Sequence, residues 1–165
     1  MPSSEGFYWD SCVFISYFEK TPNRIDVIDE LLRRSELGEI EIITSTASIV
    51  EVAYIVTERV GGLDPRNEVA MDECWSNSAV VKVIEPSVVV AKEARNIMRT
   101  AMANGLKKIR GMDAIHLASA RLLHVTELQT YNYLDFDYLE QHTSVRCVEP
   151  HAVIQVPLDL TGLDS

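Results

Sequence analysis

The chain has 165 residues, 47% hydrophobic and 24% charged, an ordinary composition for one soluble globular domain with a real core. Its net charge of −10 argues against a protein that coats nucleic acid with its whole surface, and no apolar run reaches the roughly 18 residues of a membrane helix. Cys12, Cys74 and Cys147 are three in number and widely separated, which is neither a disulfide framework nor the paired spacing of a zinc site and, with no secretory pattern at the N-terminus, points to a cytoplasmic protein.

Phe7 to Trp9 is a short aromatic run bounded by Gly6 and predicts a strand. Asp10 and Ser11 follow where that strand gives way to a helix, and both are good N-cap residues. The helix runs from Val13 to Phe18 and stops near Thr21-Pro22-Asn23. Ile25, Ile28, Leu32 and Val27, Leu31 recur at helical spacing, which predicts a helix over 24–37, capped by Asn23 and ended by Gly38. Residues 39–44 predict a strand. Residues 45–48 offer several caps for one helix reaching Arg59, with Ile49, Val52, Ala53 and Val56 on its apolar face and Glu51 one turn in. Gly61-Gly62 breaks it, and Asp64 or Asn67 opens the next helix, which ends near Asn77.

Ala79 to Ile84 predicts a strand closed by Glu85-Pro86, and Ser87 to Ala103 a long helix ended by Asn104-Gly105. Gly111 to Ala120 reads as a helix of small residues with Asp113 in its first turn. Strands follow at 126–130 and 145–148, separated by a loop or short helix over 132–139. The segment after Glu149 carries Pro150 and Pro157 and has no evident pattern, so the domain is expected to span 1–149 and the tail 150–165. Strands alternating with helices predict a mostly parallel sheet of about five strands with helices on both faces, a three-layer α/β/α fold.

Acids gather at one address in that fold. Asp10 follows the first strand, Glu51 lies in the helix after the second, Asp113 opens a late helix, and Asn132 follows the fourth strand. In an open parallel sheet, ligands bind at the carboxyl ends of the strands. Several carboxylates there repel one another unless protonated or neutralised. A hard divalent cation, Mg²⁺ or Mn²⁺, neutralises them and can activate water against a phosphodiester. No Gly-x-x-x-x-Gly-Lys-Ser/Thr, Gly-x-Gly-x-x-Gly, Gly-x-Ser-x-Gly or His-Glu-x-x-His pattern offers a competing chemistry.

The order and setting of these residues resemble the PIN-domain family of metal-dependent ribonucleases, whose members include toxins of bacterial toxin–antitoxin pairs. The matching stretches are Trp9-Asp10-Ser11, Ser48-Ile49-Val50-Glu51-Val52, the helix from Gly111 to Ala120, and Thr130-Tyr131-Asn132, over roughly residues 6–149. The resemblance implies a PIN-like fold and Mg²⁺- or Mn²⁺-dependent hydrolysis of RNA. Asp10, Glu51, Asp113 and Asn132 would be the metal-binding and catalytic set, supported by hydrogen bonds from Ser11 and Thr130. It also implies a homodimer and an antitoxin partner. The departure is Asn132, where the family often has Asp. An amide still offers an oxygen but no charge, and Asp135 is an alternative three residues on. An inactive PIN-fold module that binds RNA or protein is the rival reading.

Each of these residues also has a plain structural reading. Asp10 and Ser11 cap a helix, Asp113 favours a helix N-terminus through the dipole, and Asn132 suits a turn. His116 lies on the same helix face as Asp113 and is either a proton carrier or a packed residue. Cys12, Trp9 and Trp75 read as core. Between Lys92 and Arg110 six bases stand against Glu93 alone. Such a patch either holds phosphates or is a solvated face; Lys107, Lys108 and Arg110, just before Asp113, are its candidates for contact with an RNA backbone.

Overall fold

The computed structural model describes residues 5–152. Alternation at period two gives the sheet its two faces. In β1 (Glu5–Trp9) Tyr8 turns to one side while Phe7 and Trp9 turn to the other. β2 (Ile40–Ser45) lies beside it in parallel register, Phe7 opposite Ile42 and Tyr8 opposite Ile43. With β3 (Lys82–Ile84), β4 (Glu127–Gln129) and β5 (Cys147–Val148) they form a five-stranded parallel sheet in the order β3-β2-β1-β4-β5. The first three strands step outward in one direction, and the chain then crosses to the far side of β1. The border between β1 and β4 is therefore the switch point of the sheet, where a crevice opens at the carboxyl edge.

The helices in chain order are α1 (Ser11–Phe18), α2 (Ile25–Glu36), α3 (Thr46–Glu51), α4 (Val56–Gly61), α5 (Pro65–Ser76), α6 (Val88–Ala103), α7 (Gly111–Leu122) and α8 (Glu140–Thr143), with 3-10 turns at Tyr133–Asp135 and Asp137–Leu139. Phe7, Trp9 and Ile42 bury themselves against Phe14 of α1, Ile28 and Leu31 of α2 and Met71 of α5. Trp9, Phe14 and Trp75 stack edge to face, with centroids 5.5 and 4.7 Å apart, so both tryptophans belong to this core. On the opposite face Tyr8, Ile43 and Leu128 meet α6 and α7, whose Ala94, Ala114 and Ala118 let helix and sheet approach closely. Helices thus cover both faces, and the predicted three-layer α/β arrangement holds.

Three predicted elements differ in detail. The single helix expected over 45–59 is two, α3 and α4, with a break at 52–55. Glu58 starts the second one: its carboxylate reaches back to the Ile55 N–H at 3.2 Å and forward to the Asp64 N–H at 2.9 Å. Glu51 is therefore the last residue of a short helix, and Ile49 and Val56 of the supposed apolar face are exposed. Asn23 does not cap α2; it has φ +66°, and Arg24 takes the cap position. The third strand begins at Lys82 because residues 77–81 form a turn that buries Val81. Most of the expected tail, residues 153–165, lies outside the described residues.

Candidate active site

Both strands that border the switch point deliver a residue to it. Past the end of β1, Asp10 turns the chain into α1 and accepts the Cys12 N–H at 3.1 Å, the capping bond of that helix. Past the end of β4, the Thr130 hydroxyl donates to Asp10 Oδ2 at 2.8 Å. The Cys12 thiol donates to Asp10 Oδ1 at 2.8 Å and accepts the Tyr131 N–H at 3.1 Å, tying the two strand ends together. Asp10 is only 5% exposed, and its partners are all neutral. Burial pushes its pKa above the ordinary 3.8, and the Cys12 donor, the nearby His116 and the Thr130 hydroxyl offset this only in part.

Glu51 approaches from α3. Its Oε2 lies 2.7 Å from His116 Nε2, and the other ring nitrogen of His116 lies 2.9 Å from the Tyr8 hydroxyl. A carboxylate only accepts, so Nε2 carries the proton, and in the neutral ring Nδ1 accepts from Tyr8. Burial pushes the Tyr8 phenol up to about 12, which keeps that donor protonated. Burial also opposes ionisation of Glu51, but His116, Ser11 and Arg110 outweigh it and hold the carboxyl below its usual range. Asp113, buried in the first turn of α7, is gripped by Arg110 through a fork of two bonds, Nε to Oδ2 at 2.7 Å and Nη2 to Oδ1 at 3.1 Å. The rest of the Arg110 side chain is largely exposed.

The remaining predicted residues are placed as follows. Ser11 is half-buried beside Glu51. Asn132 is exposed at the start of a 3-10 turn, and its backbone N–H donates to Thr130 Oγ1 at 3.0 Å. Lys107 is paired with Asp135 at 2.5 Å, which engages the alternative fourth acid. Lys108 is exposed.

The sheet edge thus gathers the acids, and each is held by an internal donor: Asp10 by Thr130 and Cys12, Glu51 by His116, Asp113 by Arg110. Among the described residues no three His, Cys, Asp or Glu side chains converge to ligate one ion. The chemistry of the set still fits a hard cation. All its ligating atoms are oxygens, and Asp10 is a buried carboxylate without a cationic partner.

Sequence reasoning missed the part played by Cys12, read as core, and by Tyr8. It favoured packing over proton transfer for His116, and it weighed Arg110 only between contact with RNA and solvation. Two of these had local signals, since Cys12 is two residues from Asp10 and Arg110 three from Asp113. Tyr8 and His116 meet across 108 residues, which no spacing reveals.

A sequence profile described as PIN domain matches residues 7–138. No curated protein sequence matches the chain. Among solved structures, VapBC2 from Rickettsia felis bound to a promoter DNA fragment is similar over 89% of this chain and 99% of its own, with TM-score 0.65 and 16% identity. DNA-bound VapBC from Salmonella typhimurium is similar over 87% and 96%, with TM-score 0.66 and 16% identity. VapC20 from Mycobacterium tuberculosis, described as a sarcin-ricin loop cleaving toxin, is similar over 74% and 86%, with TM-score 0.55 and 16% identity. At such identities these likenesses concern the fold.

Proposed function

Since the chain belongs to the PIN-domain family, we propose that it is an endoribonuclease that hydrolyses RNA phosphodiesters with the help of Mg²⁺ or Mn²⁺. The observation that carries this reading is Asp10, a buried carboxylate set at the β1/β4 switch point among neutral donors only. Asp10, Glu51 and Asp113 would hold the cation, with Asn132 offering an amide oxygen at the rim. A bound divalent ion supplies charge for the phosphate and acidifies a water for attack on phosphorus.

The chain's own residues prepare the site. Thr130 and Cys12 fix both oxygens of Asp10. Tyr8 fixes the tautomer of His116, and His116 orients Glu51. Arg110 pairs with Asp113, and were Asp113 to help hold a cation, the exposed guanidinium of Arg110 would be available to a phosphate. The toxin role, the antitoxin partner and the homodimer are part of the same proposal, supported by fold relatives described as toxin–antitoxin complexes.

The assay is incubation of a mixed RNA pool with the protein in Mn²⁺, in EDTA, and with Asp10→Asn in Mn²⁺. Cleavage is expected only in the first. An inactive wild type, or an Asp10→Asn variant that cuts equally well, overturns the reading. A second reading, an interaction module without turnover, is favoured by the neutral Asn132 and by the full ion pair that already neutralises Asp113. Binding of RNA with no cleavage under any of these conditions establishes it.

A further inference from the structure

The acid excess of this chain makes its unpaired bases conspicuous. It has 25 acids for 15 lysines and arginines. Eight of those bases find a carboxylate among the described residues: Arg33, Arg34, Arg66, Lys82, Lys107, Arg110, Arg121 and Arg146. Of the other seven, Arg24 and Arg59 lie over the Tyr131 and Tyr54 rings, Lys20 and Lys108 stand singly, and Lys92, Arg95 and Arg99 are all exposed on α6 at spacings of three and four. That spacing places them on one face, over about 10 Å of helix. Like charges so placed weaken a helix, and no ion pair among the described residues relieves them. Glu93, the only acid between Lys92 and Arg110, is instead paired with Arg121.

A second observation lies at the same place. α6 and α7 leave between them a cavity of about 510 Å³, within the usual range for ligand sites. Ala94, Met98 and Ile115 form its apolar wall, and Arg95, Arg110 and Glu51 stand around it. The cavity therefore joins Arg95 on the basic face of α6 to Glu51 at the sheet edge.

Resting on the nuclease reading, we propose that an unpaired RNA strand lies along Lys92, Arg95 and Arg99 and places a base in the α6–α7 cavity beside Glu51 and Arg110. A strand there meets three cations for its phosphates and an apolar pocket lined in part by Arg95 and Arg110, and an arginine side chain can stand in for an aromatic ring against an unstacked base. Lysine is depleted at the core of protein interfaces, whereas a row of cations at helical spacing suits a phosphate backbone. Of the bases nearest Asp113 in sequence, Lys107 and Arg110 are paired with Asp135 and Asp113, and among them Lys108 alone has no carboxylate partner among the described residues.

The test measures binding without turnover. The full chain carrying Asp10→Asn, in EDTA, is titrated into a labelled single-stranded RNA of about 12 nucleotides, with Lys92→Ala/Arg95→Ala/Arg99→Ala and Ala91→Trp added separately to that background. Ala91 is exposed at the cavity, so its replacement by Trp fills the slot from the surface. Circular dichroism confirms that each variant is folded. The triple variant is expected to bind at least about tenfold more weakly, with a salt slope shallower by about two, near 0.7 for each phosphate that is no longer neutralised. The Ala91→Trp variant is expected to lose affinity with its salt slope intact.

A triple variant with the parent's affinity and slope overturns the proposal, as does a parent that binds no RNA. An oligoglutamate peptide that competes as well as RNA of equal charge overturns it in favour of an acidic protein segment. The cleavage assay is separate: a wild type that binds through α6 yet cuts nothing refutes the nuclease reading and leaves this one standing.

Discussion

Asp10 serves two purposes that oppose each other energetically. It caps α1, and it carries a carboxylate into a site that is 5% exposed. Its folded pKa lies above the unfolded one, so the native state binds more protons than the unfolded state between the two values, and stability falls as pH rises through that window. Asp10→Asn keeps an acceptor for the cap and removes the buried charge. In metal-free protein the variant is expected to melt about 2–4 °C above wild type at pH 7, with the difference vanishing below about pH 4. A Tm equal to or below wild type at pH 7 contradicts this. Glu51 behaves oppositely: its folded pKa is lowered, so its stabilising contribution is present above the ordinary carboxylate range and is lost as pH falls through the folded value. His116, the source of that lowering, can be tested directly. His116→Leu removes the N–H that holds Glu51 and is expected to weaken Mn²⁺ binding by about 10–100-fold. His116→Gln, which restores an N–H donor, should recover much of it, and calorimetric titration reads both. Equal affinities for Leu, Gln and wild type would show that His116 only packs.

Among the elements, α3 is the one the site depends on most and the one least secured by its own sequence. It has six residues, too few to persist alone, and it ends on Glu51. What anchors it is Thr44, at the end of β2, whose hydroxyl donates to the Trp9 carbonyl at 2.8 Å and shares a 2.7 Å bond with Ser48 of α3. All three groups are buried. Thr44→Val is nearly isosteric but strands the Trp9 carbonyl, and is expected to cost about 1–3 kcal/mol in urea denaturation. Cleavage should fall with it, since α3 then carries Glu51 on a looser support. Unchanged stability would mean that water replaces the hydroxyl. The contrast with α6 is instructive. That helix is legible throughout, with its Ser87 cap, 16 residues and amphipathic pattern, because its determinants are local. The break between α3 and α4 was not legible, because α4 is fixed by Glu58, whose carboxylate takes the Ile55 N–H at its start and the Asp64 N–H beyond its end.

At the scale of the whole molecule, the parallel sheet brings Asp10, Glu51 and Asp113 to one edge from points far apart in the chain, and the charge they accumulate there must be balanced. In the described structure Arg110 does part of this work, and His116 holds Glu51 by a hydrogen bond. A divalent ion would do more, and binding to the native state alone stabilises it by mass action. At about 100 times Kd, Mn²⁺ is expected to add about 2.7 kcal/mol, seen as a Tm rise of about 5–10 °C that Asp10→Asn abolishes. No shift at millimolar Mn²⁺ counts against the metal centre. Among the described residues no helix is long and apolar enough to cross a membrane.

Period-two and period-3.6 patterns, with caps and glycine stops, set out the alternating elements, the parallel sheet and the edge on which the acids stand. They could do so because such signals act between residues a few positions apart. The pairing of the acids was decided only in three dimensions. Thr130 meets Asp10 because β4 crosses to the far side of β1, and Tyr8 meets His116 because α7 packs on the sheet face that Tyr8 enters. Whether Arg110 served a substrate or its own Asp113 was likewise undetermined by spacing, since a base three residues from an acid suits both uses. In the folded chain Arg110 forks onto Asp113, a pairing that spacing alone did not decide.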